Sequence, residues 1–460
     1  MRVRYLLAMV MATFVANAQP PLGGPPPQAR EACAGKTEGS SCSFDTPRGQ
    51  MSGICRTVPE GGRVCVPAGR VPREMGGSGS GGGMGDRMDG VGPGSRRTPP
   101  QVDIAATNPA AVKVTSRIPD THQGSCFDDS RAIPCPQPGQ RFYGQDAQYE
   151  GATPSYRVNG DGTVTDNVTG LMWQQGHNAQ RLGWYEARGA CSGLRLGGHT
   201  DWRLPSIKEL YSIADFRGTQ GRRPYLDDVF EIHEPDDSVL QGDRFAATHR
   251  TQMMGQTWSS TIYTGDHWDR KGVEAAFFMN FLDGHIKQAP TRGRSELFYR
   301  CVRGPQWGAN DFVDNRDGTV TDRKSGLTWQ QRDDGRTRNW EQALSYCEGL
   351  RLAGHVDWRL PNVKELQSIV DYRRHDPALD TRFLQQTDHR GWFWSSTTHG
   401  DNISQADYVC FGKCTSAGGV DVHGAGAQRS DPKRRESNTR TSQGGQDDEV
   451  RIDNYVRCVR

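Results

Sequence analysis

The sequence predicts an α+β protein made of two tandem domains, each with two helices and a small, mostly antiparallel sheet, after a disulfide-stapled segment and a disordered linker. Length, an internal repeat and cysteine usage point to it. The chain has 460 residues, room for two or three domains at ~150 residues each. Residues 161–175 return as 317–331 with 11 of 15 positions identical, and 195–210 return as 351–366 with 12 of 16, both at an offset of 156. Trp184 with Trp340 and Cys191 with Cys347 keep that offset, so whole domains are copied rather than a short motif. Twelve cysteines accompany only 34% hydrophobic residues, a composition that suits sparse cores held by disulfides.

Residues 1–18, with Arg2 and Arg4 ahead of a short apolar run and Ala16-Asn17-Ala18 before Gln19, read as a secretory signal. The run is too short to span a bilayer. Export places the cysteines in an oxidising compartment, where disulfides outweigh free thiols. A Pro-rich stretch, 19–30, leads into residues 31–68, where Cys33, Cys42, Cys55 and Cys65 allow three pairings among which the sequence does not choose. Residues 69–122 have Gly/Ser/Pro linker composition. The domains then span 123–303 and 311–460, with a short linker at 304–310. A net charge of only +2 removes the electrostatic case for a nucleic-acid binder.

Each copy opens with short β-prone runs separated by Asn, Asp and Gly, the composition of strands joined by tight turns. Trp184, Ala187, Cys191 and Leu194, answered by Trp340, Ala343, Leu344, Cys347 and Leu350, repeat at helical spacing and turn each cysteine inward. After Asp-Trp-Arg-Leu-Pro, Ser206 with Glu209 and Asn362 with Glu365 have the spacing of a capping box and start a second helix. Trp202, Trp258, Trp358 and Trp394 sit in repeated motifs and read as core. Beyond this framework the copies diverge. Trp258 and Trp394 are offset by 136, and Thr261 to Cys301 spans 40 positions where Thr397 to Cys458 spans 61. The second copy's surplus includes residues 424–448, polar and Gly-rich, which read as an exposed loop presenting Lys433, Arg434 and Arg435. Trp268, Trp307 and Trp392 read as candidates for an exposed sugar-stacking surface.

No Gly-x-Ser-x-Gly, His-Glu-x-x-His or phosphate-loop motif occurs, so no catalytic residue, metal set or cofactor is expected. Calcium is the one alternative, through residues 159–166 and 315–322 or Glu234-Pro235-Asp236; a β-turn explains the first two without an ion.

The ordered motifs Asp-Gly-Thr-Val-Thr-Asp, helix Cys, Asp-Trp-Arg-Leu-Pro-x-x-Lys-Glu-Leu, Trp-Ser-Ser-Thr and a terminal Arg-Cys-Val-Arg occur in both copies. Over residues 123–460 the chain resembles the Lcl C-terminal domain family, named for the C-terminal domain of a bacterial collagen-like adhesin. The resemblance implies a C-type-lectin-like or formylglycine-generating-enzyme-like fold in which the helix cysteine bonds to one on the last strand, hence Cys191 with Cys301 and Cys347 with Cys458. Cys126 with Cys135 and Cys410 with Cys414 remain as local pairs. The function expected is that of an exported, non-enzymatic recognition or adhesion protein, which binds a glycan, extracellular polymer or protein through variable loops. A structural cell-envelope component is one alternative, and a copper-dependent thiol oxidase using Cys410 and Cys414 is another.

Overall fold

The structure, a computed structural model, describes residues 27–46, 49–57, 63–67, 108, 110–177, 180–219, 223–232, 255–436, 439–444 and 446–460. The signal segment, linker residues 69–107 and Glu234-Pro235-Asp236 lie outside the described residues. The chain forms two compact units, Met1–Arg96 and Arg97–Arg460.

In the first unit a helical turn, α1 (Pro27–Glu31), precedes an antiparallel meander of β1 (Ser41–Thr46), β2 (Gly49–Thr57) and β3 (Arg63–Pro67). Cys33 bonds Cys55 and Cys42 bonds Cys65, which selects one of the three pairings. Its described buried core is Ala29, Val64 and these four half-cystines, so covalent bonds replace the burial that so short a segment lacks.

The second unit holds both repeats and is sheet-rich with few, short helices rather than an even α+β mixture. The first repeat begins with an antiparallel ladder of Tyr156–Val158, Thr163–Asp166 and Met172–Gln174, closed by Val302–Arg303. The second has Phe312–Asp314, Thr319–Asp322 and Thr328–Gln330 in the same arrangement. Their tight turns are held by the residues with calcium-like spacing. Asp161 Oδ1 accepts from the Thr163 hydroxyl at 2.6 Å and Asp317 Oδ1 from the Thr319 hydroxyl at 2.6 Å, while Asn159 and Asn315 bridge neighbouring threonines. These side chains are engaged within the turn.

In the first copy α2 (Trp184–Gly193) buries Trp184, Ala187 and Cys191, and α3 (Ile207–Ser212) follows. Their counterparts are α4 (Trp340–Glu348) and α5 (Val363–Ser368). The capping boxes form as the spacing predicts: Ser206 Oγ accepts from Glu209 N at 3.2 Å while Glu209 Oε2 accepts from Ser206 N at 2.8 Å, and Asn362 with Glu365 does the same. Cys191 on α2 bonds Cys301, Cys347 on α4 bonds Cys458, and Cys126 bonds Cys135.

The repeats do not stand apart. The first contributes β4 (Gln256–Ile262), β5 (Ala275–Asn280) and β6 (His285–Pro290); the second contributes β7 (Trp392–Thr398), β8 (Gln405–Cys410) and β9 (Gln428–Pro432). Together they make one antiparallel six-stranded sheet in the order β4-β5-β6-β9-β8-β7, with Ile286 paired to Gln428 at its centre. One apolar cluster runs under it, with Trp173, Leu210, Phe277 and Ile286 from the first copy and Trp329, Leu366, Val409 and Phe411 from the second. Neither copy buries its inner face without the other.

The lysine of the repeated Lys-Glu-Leu motif ties the copies reciprocally. Lys208 Nζ donates to Ser368 O at 2.6 Å, at the end of α5, and Lys364 Nζ donates to Ser212 O at 3.0 Å, at the end of α3. Each ammonium thus satisfies a carbonyl that the other copy's helix leaves unpaired. The chain ahead of the first copy also lies on the second: Thr397 donates to Asp146 at 2.6 Å, Tyr149 to Glu348 at 2.7 Å, and Phe142 joins the second copy's core around Trp340.

Residues 424–448 correct the loop reading. Their first part is not a surface insertion, because β9 is a central strand and residues 421–431 are buried. Partners from elsewhere in the chain meet several of its polar side chains, as Gln405 does for Ser430 at 2.9 Å, the Arg451 backbone N–H for Asp431 at 3.1 Å and Asp448 for Arg429. Gly426 at φ 101° lies where a β-carbon would meet the Tyr372 ring at 2.6 Å, so the glycines serve close packing. Lys433 is fully buried: its Nζ donates to Asp128 O at 3.0 Å and to the Thr398 hydroxyl at 2.9 Å, and lies 4.0 Å from the Trp340 ring centre. Trp392 is 1% exposed, stacked on Tyr408 and covered by Arg451, so it cannot present a sugar-stacking face. A hydrophobic-poor sequence hides which of its eleven tryptophans go inside; strand position decides it for Trp392.

Candidate functional site

Two features of the second unit have the makings of a site. One is a surface cleft enclosing about 220 Å³, built by the second copy's extra chain against the leading segment. Asp129, Ser404, Arg434, Glu436, Arg440 and Gln443 line it. Arg434 is half exposed and reaches Asp129 at 3.4 Å and Glu436 at 3.2 Å. Two guanidiniums face two carboxylates with hydroxyl and amide groups between them, so the cleft offers donors and acceptors without a strong field of either sign. Arg435, beside it, is exposed. Of the residues singled out in the sequence, only Arg434 lines this cleft; Trp268 is half-buried elsewhere, on a short helical turn with Arg270 over its ring.

The other feature is internal. At the seam between the copies His285, first residue of β6, stacks on His399, which follows β7, with ring centres 4.6 Å apart and planes 16° from parallel. His399 Nδ1 lies 3.0 Å from Asp407 Oδ1 on β8, and its Nε2 lies 3.8 Å from Asp401 Oδ2. His285 Nδ1 faces Asp283 Oδ1 at 3.5 Å and its Nε2 faces Ser430 Oγ on β9 at 3.3 Å. Tyr225 of the first copy also stacks on His399, with ring centres 5.9 Å apart, and donates its hydroxyl to Asp401 at 3.1 Å. A β-carbon on Gly400 would sit 2.0 Å from Gly218 O, so only glycine lets the His399 loop approach the first copy this closely.

Charge is divided unevenly within this network. Burial, reinforced by Arg429, pushes the His285 imidazole well below its usual range, whereas His399 is lifted, Asp407 and Asp401 outweighing the burial that opposes them. Burial raises the Asp407 carboxyl. Asp283 goes the other way: burial would raise it, but Lys287 at 2.9 Å and His285 hold it well below the carboxylate range. Close by, His423 Nε2 meets Asp448 Oδ1 at 2.8 Å, and Arg429 pairs with the same carboxylate.

His423 gives this network a pH signature. Burial and Arg429 push its pKa from 6.5 to about 4, so it stays neutral where an unfolded histidine is protonated. Its contribution is complete above pH 6.5 and is lost as pH falls toward 4, a difference on the order of 3 kcal/mol. His285 acts in the same direction and His399 in the opposite one. We expect the urea midpoint to fall between pH 6.5 and pH 4, and the fall to be shallower in His423→Gln. An identical pH profile for that variant would place the titration elsewhere.

Cys410 and Cys414, the pair proposed for copper, are bonded to each other and buried. The family model described as Lcl C-terminal domain matches residues 162–303 and again 318–440, together more than half of the chain. The chain belongs to the Lcl C-terminal domain family. Both Lcl C-terminal matches contain the two helices, the strands that the repeat supplies to the shared sheet and the ladder from its second strand onward, and the second extends through β9 to Arg440 in the cleft. No curated protein matches the chain. The histidine cluster was not legible in the sequence, because His285, His399 and Asp407 are single residues on three strands' ends and interiors with no common spacing. One signal existed: at the 136 offset, His399 falls opposite Tyr263 of the first Lcl C-terminal copy, two residues after the shared Trp-Ser-Ser-Thr, where the copies begin to diverge.

Proposed function

We propose that this protein is an exported, non-enzymatic recognition protein in which two C-type-lectin-like copies, fused through one sheet, hold a binding cleft for a hydroxyl-rich polymer such as a glycan. The observation that carries the reading is the cleft at Arg434, where paired charges and neutral polar groups converge at the end of β9. Such a surface can exchange its hydrogen bonds with water for a set with sugar hydroxyls, while the balanced charge disfavours a polyanion. The fused sheet also alters how two copies could cooperate. They cannot act as beads on a flexible string, so any gain from two sites requires a ligand that matches their fixed separation.

A glycan and matrix-protein array probed with the full chain tests this. Wild type is expected to retain a defined glycan set, and replacing Arg434 and Arg440 together by alanine should weaken that binding at least ~10-fold while leaving the fold intact. Unchanged binding by the double variant would remove the cleft from consideration. Absence of any saturable ligand, with tight association to envelope fractions, would favour the structural-component reading. Among the described residues no helix is long and apolar enough to cross a membrane.

A further inference from the structure

The cluster at the seam is unlike an ordinary buried ion pair. His285, His399 and Asp407 each offer one ligand atom, and these atoms all lie within 4.8 Å of one another. The three residues are 8%, 3% and 0% exposed, so water does not screen them. Asp407 uses Oδ1 toward His399, but its Oδ2 is buried and accepts no hydrogen bond. An orphaned carboxylate oxygen is costly in a dry interior unless something positively charged completes it.

We infer that the seam is a binding site for one divalent transition-metal ion of zinc type, ligated by His285 from the first copy and by His399 and Asp407 from the second. Two imidazoles and a carboxylate are a borderline donor set that suits zinc and its neighbours better than calcium or magnesium, which prefer all-oxygen shells. Donors around a tetrahedral ion at ~2.05 Å stand ~3.4 Å apart, so the side chains draw in by about an ångström as the two rings leave their parallel stack. Asp283 faces His285, and Asp401 faces His399, at 3.5 and 3.8 Å, where second-layer carboxylates orient ligating imidazoles. Ser430 at 3.3 Å from His285 Nε2 adds a further polar neighbour.

The asymmetry of the repeats fixes the stoichiometry. The position equivalent to His399 in the first copy is Tyr263, whose hydroxyl bonds Asp421, so the pseudo-symmetric location lacks the imidazole and the described residues hold one such site. A second His and carboxylate group, His122 with Asp215 and Asp227, differs in kind: Asp215 is already taken by Arg217 at 2.5 Å and Arg223 at 3.2 Å. Because the ligands come from both copies, the ion would bridge the seam and stabilise the joined state by mass action.

The test uses the full chain with its disulfides intact, stripped with chelator and titrated with zinc, and with cobalt as an optical probe. We expect one zinc per chain at micromolar or lower concentration, visible cobalt d–d bands, and imidazole scattering in the zinc X-ray absorption spectrum. Asp407→Asn and the pair His285→Asn with His399→Asn should each weaken zinc binding at least ~100-fold, and His122→Asn should not. X-ray absorption on the wild-type chain stands even where a variant fails to fold. No stoichiometric zinc on the native chain, a spectrum without imidazole, or full binding by the folded double-histidine variant would overturn the assignment.

Discussion

Replacing Cys347 and Cys458 together by serine is expected to lower the stability of both copies at once, by about 4–5 kcal/mol. The bond closes a sequence separation of 111 residues, about three quarters of the second repeat, and loop-closure entropy for a loop of that length gives this magnitude. The bond sits in a dry core with Trp340, Trp358 and Trp394, so the variant also loses packing. The loss spreads because β9 hydrogen-bonds to β6, because Lys208 and Lys364 cross between the copies, and because one apolar cluster serves both. Hydrogen exchange should therefore show reduced protection in β4 and β5 of the first copy as well as in β7 and β8, and thermal unfolding should remain a single transition. A first copy that keeps its protection while the second unfolds would show two independent domains.

Glu365→Gln should cost about 3–5 kcal/mol, whereas the same change at its repeat partner, Glu209→Gln, should cost roughly half as much or less. Both glutamates hold a bidentate pair with the arginine of the Asp-Trp-Arg-Leu-Pro motif, Arg359 at 2.6 and 2.7 Å and Arg203 at 2.7 and 2.6 Å. Their surroundings differ. The Arg359 side chain is 3% exposed with its guanidinium over the Tyr149 ring, while the Arg203 side chain is 33% exposed. Removing the carboxylate charge strands Arg359 in a dry interior, but water can reach Arg203. Either glutamine still offers an oxygen to the helix cap, which isolates the charge from the capping contribution. Denaturant midpoints of the two variants decide it, and equal losses would mean that the cover over Arg359 does not matter.

What the sequence by itself determined is local or repeated. The duplication, the turns at Asn159 and Asn315, the capping boxes at Ser206 and Asn362, and the inward cysteines of α2 and α4 all follow from short-range spacing, which acts within one turn of helix or one hairpin. The Lcl C-terminal framework was legible for the same reason, since its motifs occur twice in one order. Only the tertiary structure decided that the repeats share a sheet. Their pairing rests on backbone groups of β6 and β9, and backbone hydrogen bonding carries no residue signature. That pairing overturned the reading of residues 424–448: a strand written in Gln, Arg, Ser and Asp looks solvent-facing until partners from elsewhere in the chain satisfy it. It also put Lys433 and Trp392 inside, and brought His285 to His399 and Asp407 from more than a hundred residues away. Long-range proximity of single polar residues is a property of the packed fold, because no periodicity in the chain encodes it.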